Sequence, residues 1–580
     1  MADNKGSAGG SAALANPAAR TGDARDAGDA GHGPALDFQT HLAKLEANGL
    51  LVRVSRPINK DTELHPLVRW QFLGGIPAEE RRAFLFTNVV DSSGRRYDMP
   101  VAVGALAASA KIYALGMGRT VEEIGDAWTH AIANPIAQAH VNTARCQEVV
   151  ITGEELRKPG GGLASLPVPI STPGFDSAPY LTATLCVTKD PDTGVRNMGT
   201  YRAALKSADR LGVRMASRLG GAGGYLHWRK YHERHEPMPC AIVIGCAPVI
   251  AYTGPQKFGL GVDEMTVAGA LAGSAIRTAK CVTVDLEIPA DAEIVIEGLI
   301  DPELLEPEGP FGESHGYVAL EDYNLSMQVT AITHRERAVF ASIISQVTPS
   351  ESSMIKKVAY EPLFLSHLRN EMGVKGIRRV AMHEPLTNLR PLIFLQFASG
   401  TPRTEIWRAL RGAATLRADC GKMVIAVSED IEPENTDAVM WSVAYRANLG
   451  EDVQIEPYRS AGHVLRKGGQ ATDKVLTDST MLIDATLKHA MSPLALPARE
   501  YMEQARAIWE ELRLPALTVR PPWHGYSLGD WSEAWEAFAR NAVAGEWARN
   551  GENTFARRRG GVAPETSVRS VEGEKKKSGQ

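Results

Sequence analysis

From Pro167 to about Thr333 the chain is written in short β-rich runs separated by glycine and proline. No other feature constrains its architecture as strongly. The runs are Tyr180 to Thr188, Ala241 to Gly245, Val282 to Leu286, Ala292 to Ile296 and Met327 to Thr333. One clear helix lies among them, Asp263 to Leu271, capped by Asp263 or a residue just before it. Several strands interrupted by one or two helices predict a small barrel or an α+β domain, with a cavity inside it.

The flanks read differently. Phe38, Leu42 and Leu45 fall at helical spacing behind a capping Asp37, and Gly49 ends that helix before a strand at Leu51 to Val54. Further helix and strand signals, including the alanine-rich Ala102 to Leu115 and the segment Thr120 to Ala133, run to about residue 150. After residue 350 an apolar run at Leu392 to Phe397, a helical period at Thr404 to Arg417 and a second apolar run at Met423 to Val427 predict a βαβ crossover. Near the end, Tyr501, Ala505, Ile508, Trp509 and Leu512 form one helical stripe, and Trp531, Trp535 and Phe538 a second. Helices this aromatic must dock, on their own domain or on a partner subunit. The expected organisation is a disordered leader (1–33, low in apolar residues), an α/β domain (34–150), a β-rich domain (151–340), an α/β domain (341–500), a helical extension for oligomer docking (501–556) and a charged, disordered tail (557–580).

A net charge of −5 offers no basic field to a polyphosphate backbone, so nucleic acid is not an expected partner. The six cysteines are scattered without a C-x-x-C pair, which reads as reduced thiols rather than a zinc site or a disulfide framework. No run approaches eighteen apolar residues, and the first residues lack the basic-then-apolar order of a secretory signal. A cytoplasmic protein without a membrane span is expected.

Several stretches could carry chemistry. Glu308 and Glu313, in E-G-P-F-G-E-S-H-G-Y, are separated by Gly309, Pro310 and Gly312, which argue for a fixed turn. In one cavity two such acids would have their pKa values pushed apart, which suits proton transfer; on a surface they would be two solvated glutamates. In N-M-G-T-Y-R, strand alternation would put Asn197, Gly199 and Tyr201 on one side and Met198, Thr200 and Arg202 on the other. Asn197 offers a hard oxygen and Arg202 a planar fork for a carboxylate or phosphate. Glu264, in G-V-D-E at a helix start, could join Asn197 on a divalent ion, and oxygen donors alone would select magnesium or manganese. The glycine-rich L-G-G-A-G-G from Leu219 matches neither nucleotide fingerprint. H-W-R-K-Y-H-E-R-H from His227 reads as a solvated helix face rather than a metal site, and Glu293 and Glu297 as exposed or paired acids on one strand face.

Taken in order, N-M-G-T-Y-R, R-M-A-S-R-L-G-G-A, V-D-E, I-P-A-D-A-E-I-V-I-E-G and E-G-P-F-G-E-S-H-G-Y resemble the UbiD family of prenylated-flavin-dependent decarboxylases, over about residues 36 to 515. The resemblance implies a central split β-barrel domain holding prenylated FMN, flanked by N-terminal and C-terminal α/β domains. It implies reversible non-oxidative decarboxylation of an aromatic or heteroaromatic acid through a covalent flavin adduct, with carbon dioxide released. The alternatives are an aromatic acyl-CoA substrate or a flavin-binding non-catalytic subunit. Glu313 would be the proton donor and Glu308 would hold Arg202. Asn197 and Glu264 would bind a divalent ion, manganese, magnesium or iron(II), with potassium nearby. Thr200, Tyr201, Arg202, Arg214, Met215, Ala216, Leu219 and Gly220 would also touch the cofactor. A flavin prenyltransferase would supply that cofactor, and the chain would form a homo-oligomer, a dimer or a hexamer. Two departures stand out. Arg218 occupies a segment where some members supply a metal-binding His, and S-T-M-L-I-D-A-T from Ser479 keeps Asp484 but lacks a Lys found in some relatives.

Overall fold

The computed structural model describes residues 33–215, 222–256, 258, 261–460 and 477–556. The tail expected over 557–580 and all of the expected leader except Gly33 lie outside the described residues. Helix Phe38–Ala47 starts where the Asp37 carboxylate accepts the Thr40 N–H at 2.8 Å, and it buries Phe38, Leu42 and Leu45. Gly49, at a φ of 67°, then turns the chain into the strand Leu51–Val54. That strand pairs in parallel with Ala83–Phe86, which pairs antiparallel with Val101–Val103. The fourth strand of this sheet, Phe340–Ser342, arrives only after the chain has completed the central sheet.

Among the described residues the central sheet has nine strands, and every neighbouring pair of them is antiparallel. Its spine is the long pair Ile294–Glu308 and Asp322–His334, whose register shifts between Glu297 and Gly298 and again between Ile300 and Leu305. Such irregularities bend a ladder and raise its twist. Beyond the second break the ladder resumes and ends with Glu308 opposite Asp322. Helix Gly223–Arg234 packs against Thr184–Lys189, Arg196–Gly199 and Ile294–Glu308, and helix Glu264–Ala272 is capped by Asp263.

Two local expectations are corrected. Val282 to Leu286 is not a strand, because the N–H groups of Val282 and Thr283 donate to the buried Glu297 carboxylate instead of to a ladder. The neighbouring strand is Arg277–Lys280, paired with Glu287–Pro289 and Ala139–His140. Glu308 belongs to the end of a strand rather than to a turn, and a short hairpin, Phe311–Gly312 with Val318–Ala319, follows it.

The C-terminal sheet runs in the order Ile377–Met382, Leu392–Phe397, Met423–Ser428, Thr477–Ala485, Val453–Ser460. Its three inner strands are parallel, and helix Arg403–Thr415 makes the expected crossover. Ile393, Leu395, Val424 and Ala426 join the main core, while Phe394, Ile425 and Val427 form a second cluster on the other face. Helix Glu351–Ser366 follows the strand Phe340–Ser342 and leads into the C-terminal sheet. Helices Arg499–Glu511 and Glu533–Val543 bury none of their residues.

Candidate active site

The chain stops pairing after Arg196–Gly199 and resumes at Ala203, so Thr200, Tyr201 and Arg202 occupy a gap between two strands. That gap frees Arg202 to reach across to the end of the central ladder. Its Nε donates to Glu308 Oε1 at 2.9 Å and its Nη2 to Glu308 Oε2 at 2.7 Å, a bidentate fork. Its Nη1 donates to Glu313 Oε1 at 2.5 Å. Asn324 Nδ2 donates to Glu308 Oε2 at 2.8 Å, and Arg214 Nη1 lies 3.6 Å from the same oxygen while donating to Asp322 at 3.0 Å. Both residues that the sequence placed on one stretch thus share one guanidinium from more than a hundred positions upstream.

The loop between the two acids is fixed from below. Ser177 N–H donates to Pro310 O, and Gly312 N–H donates to Asp176 Oδ1 at 2.9 Å. Tyr180, Ala204 and Phe311 make a small core of their own, with the rings 4.3 Å apart, and the Arg202 guanidinium stacks 4.4 Å above Phe311. The glycines are required for close approach: a Cβ at Gly309 would lie 2.5 Å from Ser177 Cβ.

The two acids differ in setting. Glu308 is 2% exposed and lies behind Arg202, off the cavity wall, whereas Glu313 is 19% exposed and lines the cavity. Burial pushes the Glu313 pKa up, but Arg202, aided by Arg214 and His315, outweighs burial and holds it below the usual carboxylate value. The same carboxylates overcome the burial of Arg202 and raise its pKa. As the structure stands, Glu313 is an ionised acid held by an arginine.

The cavity has a volume of about 1250 Å³. Pockets for one drug-sized ligand are roughly 300–1,000 Å³, so there is room here for a cofactor and a substrate together. Asn197, Thr200, Tyr201, Arg202, Arg214, Glu264 and Glu313 all line it. Met215 does not; it is buried against Gly224. Ala216, Arg218, Leu219 and Gly220 lie outside the described residues.

Glu264 is 8% exposed, and its Oε2 accepts the Met198 N–H at 2.9 Å. Burial lifts its pKa to about 7, and among the described residues no cation pairs with it. Asn197 Nδ2 donates to the Tyr201 hydroxyl at 3.4 Å, and its Oδ1 fits only because residue 223 is glycine, where a Cβ would fall 1.8 Å away. An amide oxygen and a carboxylate suit a hard divalent cation. Among the described residues, no cluster of three His, Cys, Asp or Glu adds a further such ligand. The histidine-rich helix is solvated only in part: His227, Trp228 and Tyr231 are buried, and His227 Nδ1 lies 2.9 Å from Thr188 Oγ1. Glu293 and Glu297 are both fully buried; Glu293 pairs with Arg335 at 3.1 Å, and Glu297 accepts the N–H groups of Val282 and Thr283.

The sequence did not point to the wall contributed from beyond residue 350. Lys356, Tyr360, Arg390 and Asp419 line the same cavity. Lys356 and Tyr360 stand four apart on helix Glu351–Ser366, a spacing that shows a shared face but not what the face meets.

Comparison with known proteins matches three consecutive descriptions. They are the 3-octaprenyl-4-hydroxybenzoate carboxy-lyase N-terminal domain over residues 42–132, its Rift-related domain (UbiD) over 138–347 and its C-terminal domain over 353–485. Over 526 residues the chain is 28% identical to an uncharacterized protein of Synechocystis sp., sll0936, covering 86% of this chain and 97% of that one. It resembles the UbiD-class enzyme HmfF of Pelotomaculum thermopropionicum, solved in an evolved dimeric form with prFMN, at a TM-score of 0.68 and 28% identity, over 81% of this chain and 100% of that one. The 3,4-dihydroxybenzoic acid decarboxylase of Enterobacter cloacae shares the fold at a TM-score of 0.67 and 22% identity, over 84% and 98% of the two chains.

Proposed function

Since the chain belongs to the UbiD family of carboxy-lyases, we propose that it catalyses the reversible, non-oxidative decarboxylation of an aromatic or heteroaromatic carboxylic acid, with prenylated FMN as cofactor. The observation that carries this reading is Arg202, shared between a buried Glu308 and a cavity-lining Glu313. The flavin, when bound, supplies the electron sink that no side chain offers to an aryl carbanion. Asn197 and Glu264 would hold the divalent cation, manganese, magnesium or iron(II), and Thr200, Tyr201 and Arg214 would face the cofactor with Met215, Ala216, Leu219 and Gly220 in the adjoining segment. Potassium belongs to the same proposal.

The side chains then act as follows. Glu308 saturates one edge of the Arg202 fork and fixes its plane, leaving Nη1 for either Glu313 or the substrate carboxylate. A substrate carboxylate that takes Nη1 releases Glu313. Without that arginine the burial of Glu313 is no longer offset, so its pKa rises and it takes up a proton. The bond to the carboxyl carbon breaks, carbon dioxide leaves, and the Glu313 proton goes to the ring carbon that lost it. In the carboxylation direction the Glu313 carboxylate takes that proton back.

A flavin prenyltransferase would supply the cofactor. Homo-oligomerisation, as a dimer or hexamer, is supported by the exposed Ile508, Leu512, Trp531 and Trp535 of the C-terminal segment. Among the described residues no helix is long and apolar enough to cross a membrane. The test is co-expression with a flavin prenyltransferase, followed by an anaerobic screen of aromatic acids. Carbon dioxide release and labelled-bicarbonate exchange are the expected result. A fully loaded protein that exchanges label with no aromatic acid contradicts the proposal.

A further inference from the structure

Asn197 and Glu264 come from different elements, strand Arg196–Gly199 and the first turn of helix Glu264–Ala272. Hard divalent cations demand defined donor geometry, so the spacing of these two elements matters. One tie faces the cavity, the Met198 N–H donated to Glu264 Oε2 at 2.9 Å. The other joins the residues that immediately precede the two donors. Arg196 Nε and Nη2 both donate to Asp263 Oδ2, at 3.1 and 2.7 Å. Asp263 Oδ1 accepts the Met265 N–H at 3.0 Å, so the same carboxylate caps the helix that carries Glu264. The remaining arm of the guanidinium, Nη1, donates to Glu287 Oε2 at 3.1 Å, and that oxygen also accepts from Thr278 Oγ1 at 3.2 Å. Arg196 is thereby fixed to a second sheet as well. Asp263 lines a separate outer pocket of about 360 Å³ and not the cavity, whereas Arg196 lines both. With both its oxygens engaged away from the cavity, Asp263 is not itself placed as a ligand.

We propose that Arg196 and Asp263 are a positioning pair, a clamp outside the cavity that sets the distance between Asn197 and Glu264 and so governs how tightly the two hold a divalent cation. This inference rests on the reading above that Asn197 and Glu264 bind such a cation. Successive residues of a strand face opposite ways, so anchoring Arg196 on the outside fixes the direction from which Asn197 enters. On the helix side, the Asp263 cap fixes the turn in which Glu264 sits. The two members carry opposite charges, and this separates positioning from simple electrostatics. Through charge alone, loss of the Arg196 cation would tighten binding of a metal ion and loss of the Asp263 anion would weaken it. A clamp weakens binding whichever member is lost.

The test titrates the full-length, flavin-loaded chain, stripped of metal, with manganese(II). Free and bound ion are read by electron paramagnetic resonance, flavin occupancy by absorbance and folding by the melting temperature. Asp263→Asn keeps the cap, because asparagine caps as well as aspartate, and removes the ion pair. Arg196→Met keeps the stem and removes the fork. Each variant is expected to bind manganese(II) about 10–100-fold more weakly than the wild type, the usual cost of losing a group that orients a metal ligand. Because the two residues act as one unit, the double variant should be no weaker than the worse single variant, within about threefold. Glu264→Gln should bind none. Tighter or unchanged binding in Arg196→Met, unchanged binding in Asp263→Asn, or losses that multiply in the double variant would overturn the clamp. So would a loss of affinity that merely follows a fall in flavin occupancy or in melting temperature, since that places the pair in the fold at large. A wild type that binds no manganese(II), or whose binding survives Glu264→Gln, would instead sink the cation reading of Asn197 and Glu264, and the clamp with it.

Discussion

Replacing Glu308 by glutamine is the most revealing single perturbation of the site. The carboxylate is 2% exposed and accepts from Arg202 at 2.9 and 2.7 Å and from Asn324 at 2.8 Å. An amide keeps one oxygen for the fork and turns its NH₂ toward donors that need an acceptor. For charge centres about 4 Å apart at an effective dielectric of about 20, the lost attraction is about 4 kcal/mol. Glu313, still 2.5 Å from Nη1, and the cheaper burial of a neutral amide offset part of it. A net loss of about 2–3 kcal/mol of folding stability is therefore expected, below the ~3–5 kcal/mol seen when a buried pair loses a partner outright. Function should suffer more than stability. Arg202 no longer shares its charge between two acids, so it holds Glu313 harder, and the Glu313 pKa falls further below its usual value. General-acid catalysis contributes roughly 10²–10⁴-fold, so turnover should drop at least about 100-fold. Because Glu308 lies off the cavity wall, flavin content should be unchanged. The assay is carbon dioxide release against pH for the flavin-loaded variant, with urea unfolding alongside. Near-wild-type turnover, or a loss of bound flavin, would refute the positioning role.

Gly309→Ala should displace the loop that carries Glu313, since its Cβ would meet Ser177 Cβ at 2.5 Å; an overpacking cost of about 1–3 kcal/mol and a matching fall in activity are expected by thermal unfolding and kinetics. Glu351 accepts the N–H groups of Gly104, Leu106 and Ala107, yet burial outweighs these bonds and lifts its pKa to about 7 from about 4.5. The folded state therefore binds this proton more tightly than the unfolded chain, and the stability it contributes is complete below about pH 4.5 and lost as pH rises through 7. The change is about 3 kcal/mol. In Glu351→Gln the slope of unfolding free energy between pH 5 and pH 7 should flatten by that amount, and an unchanged slope contradicts the assignment.

The apolar runs that became Met238–Ile244, Leu392–Phe397 and Met423–Ser428 were legible because their side chains meet a core on both faces. Val282 to Leu286 carried the same residue types but misled, since Glu297 captures its backbone donors from another strand. The outer half of Ile294–Glu308 lies beyond the expected strand, Ala292 to Ile296: Pro302, Pro307 and a series of acids are poor strand formers, yet pairing with Asp322–His334 extends the strand to Glu308. Within the site, residue types were visible but distances were not. Nothing local to Arg202 says that it meets Glu308 and Glu313, and the five-motif order was needed to connect them. Lys356, Arg390 and Asp419 gave no signal, because their meeting depends on how the C-terminal layer closes on the central sheet.

The most direct measurement of the central claim is decarboxylation by flavin-loaded Glu313→Gln in deuterated water, with any aromatic acid that the wild type turns over. The wild type should release carbon dioxide and place one deuterium on the carbon that lost it. The variant should bind the flavin and the acid and yield essentially no labelled product. Near-native turnover, with deuterium delivered as before, would show that Glu313 is not the proton donor.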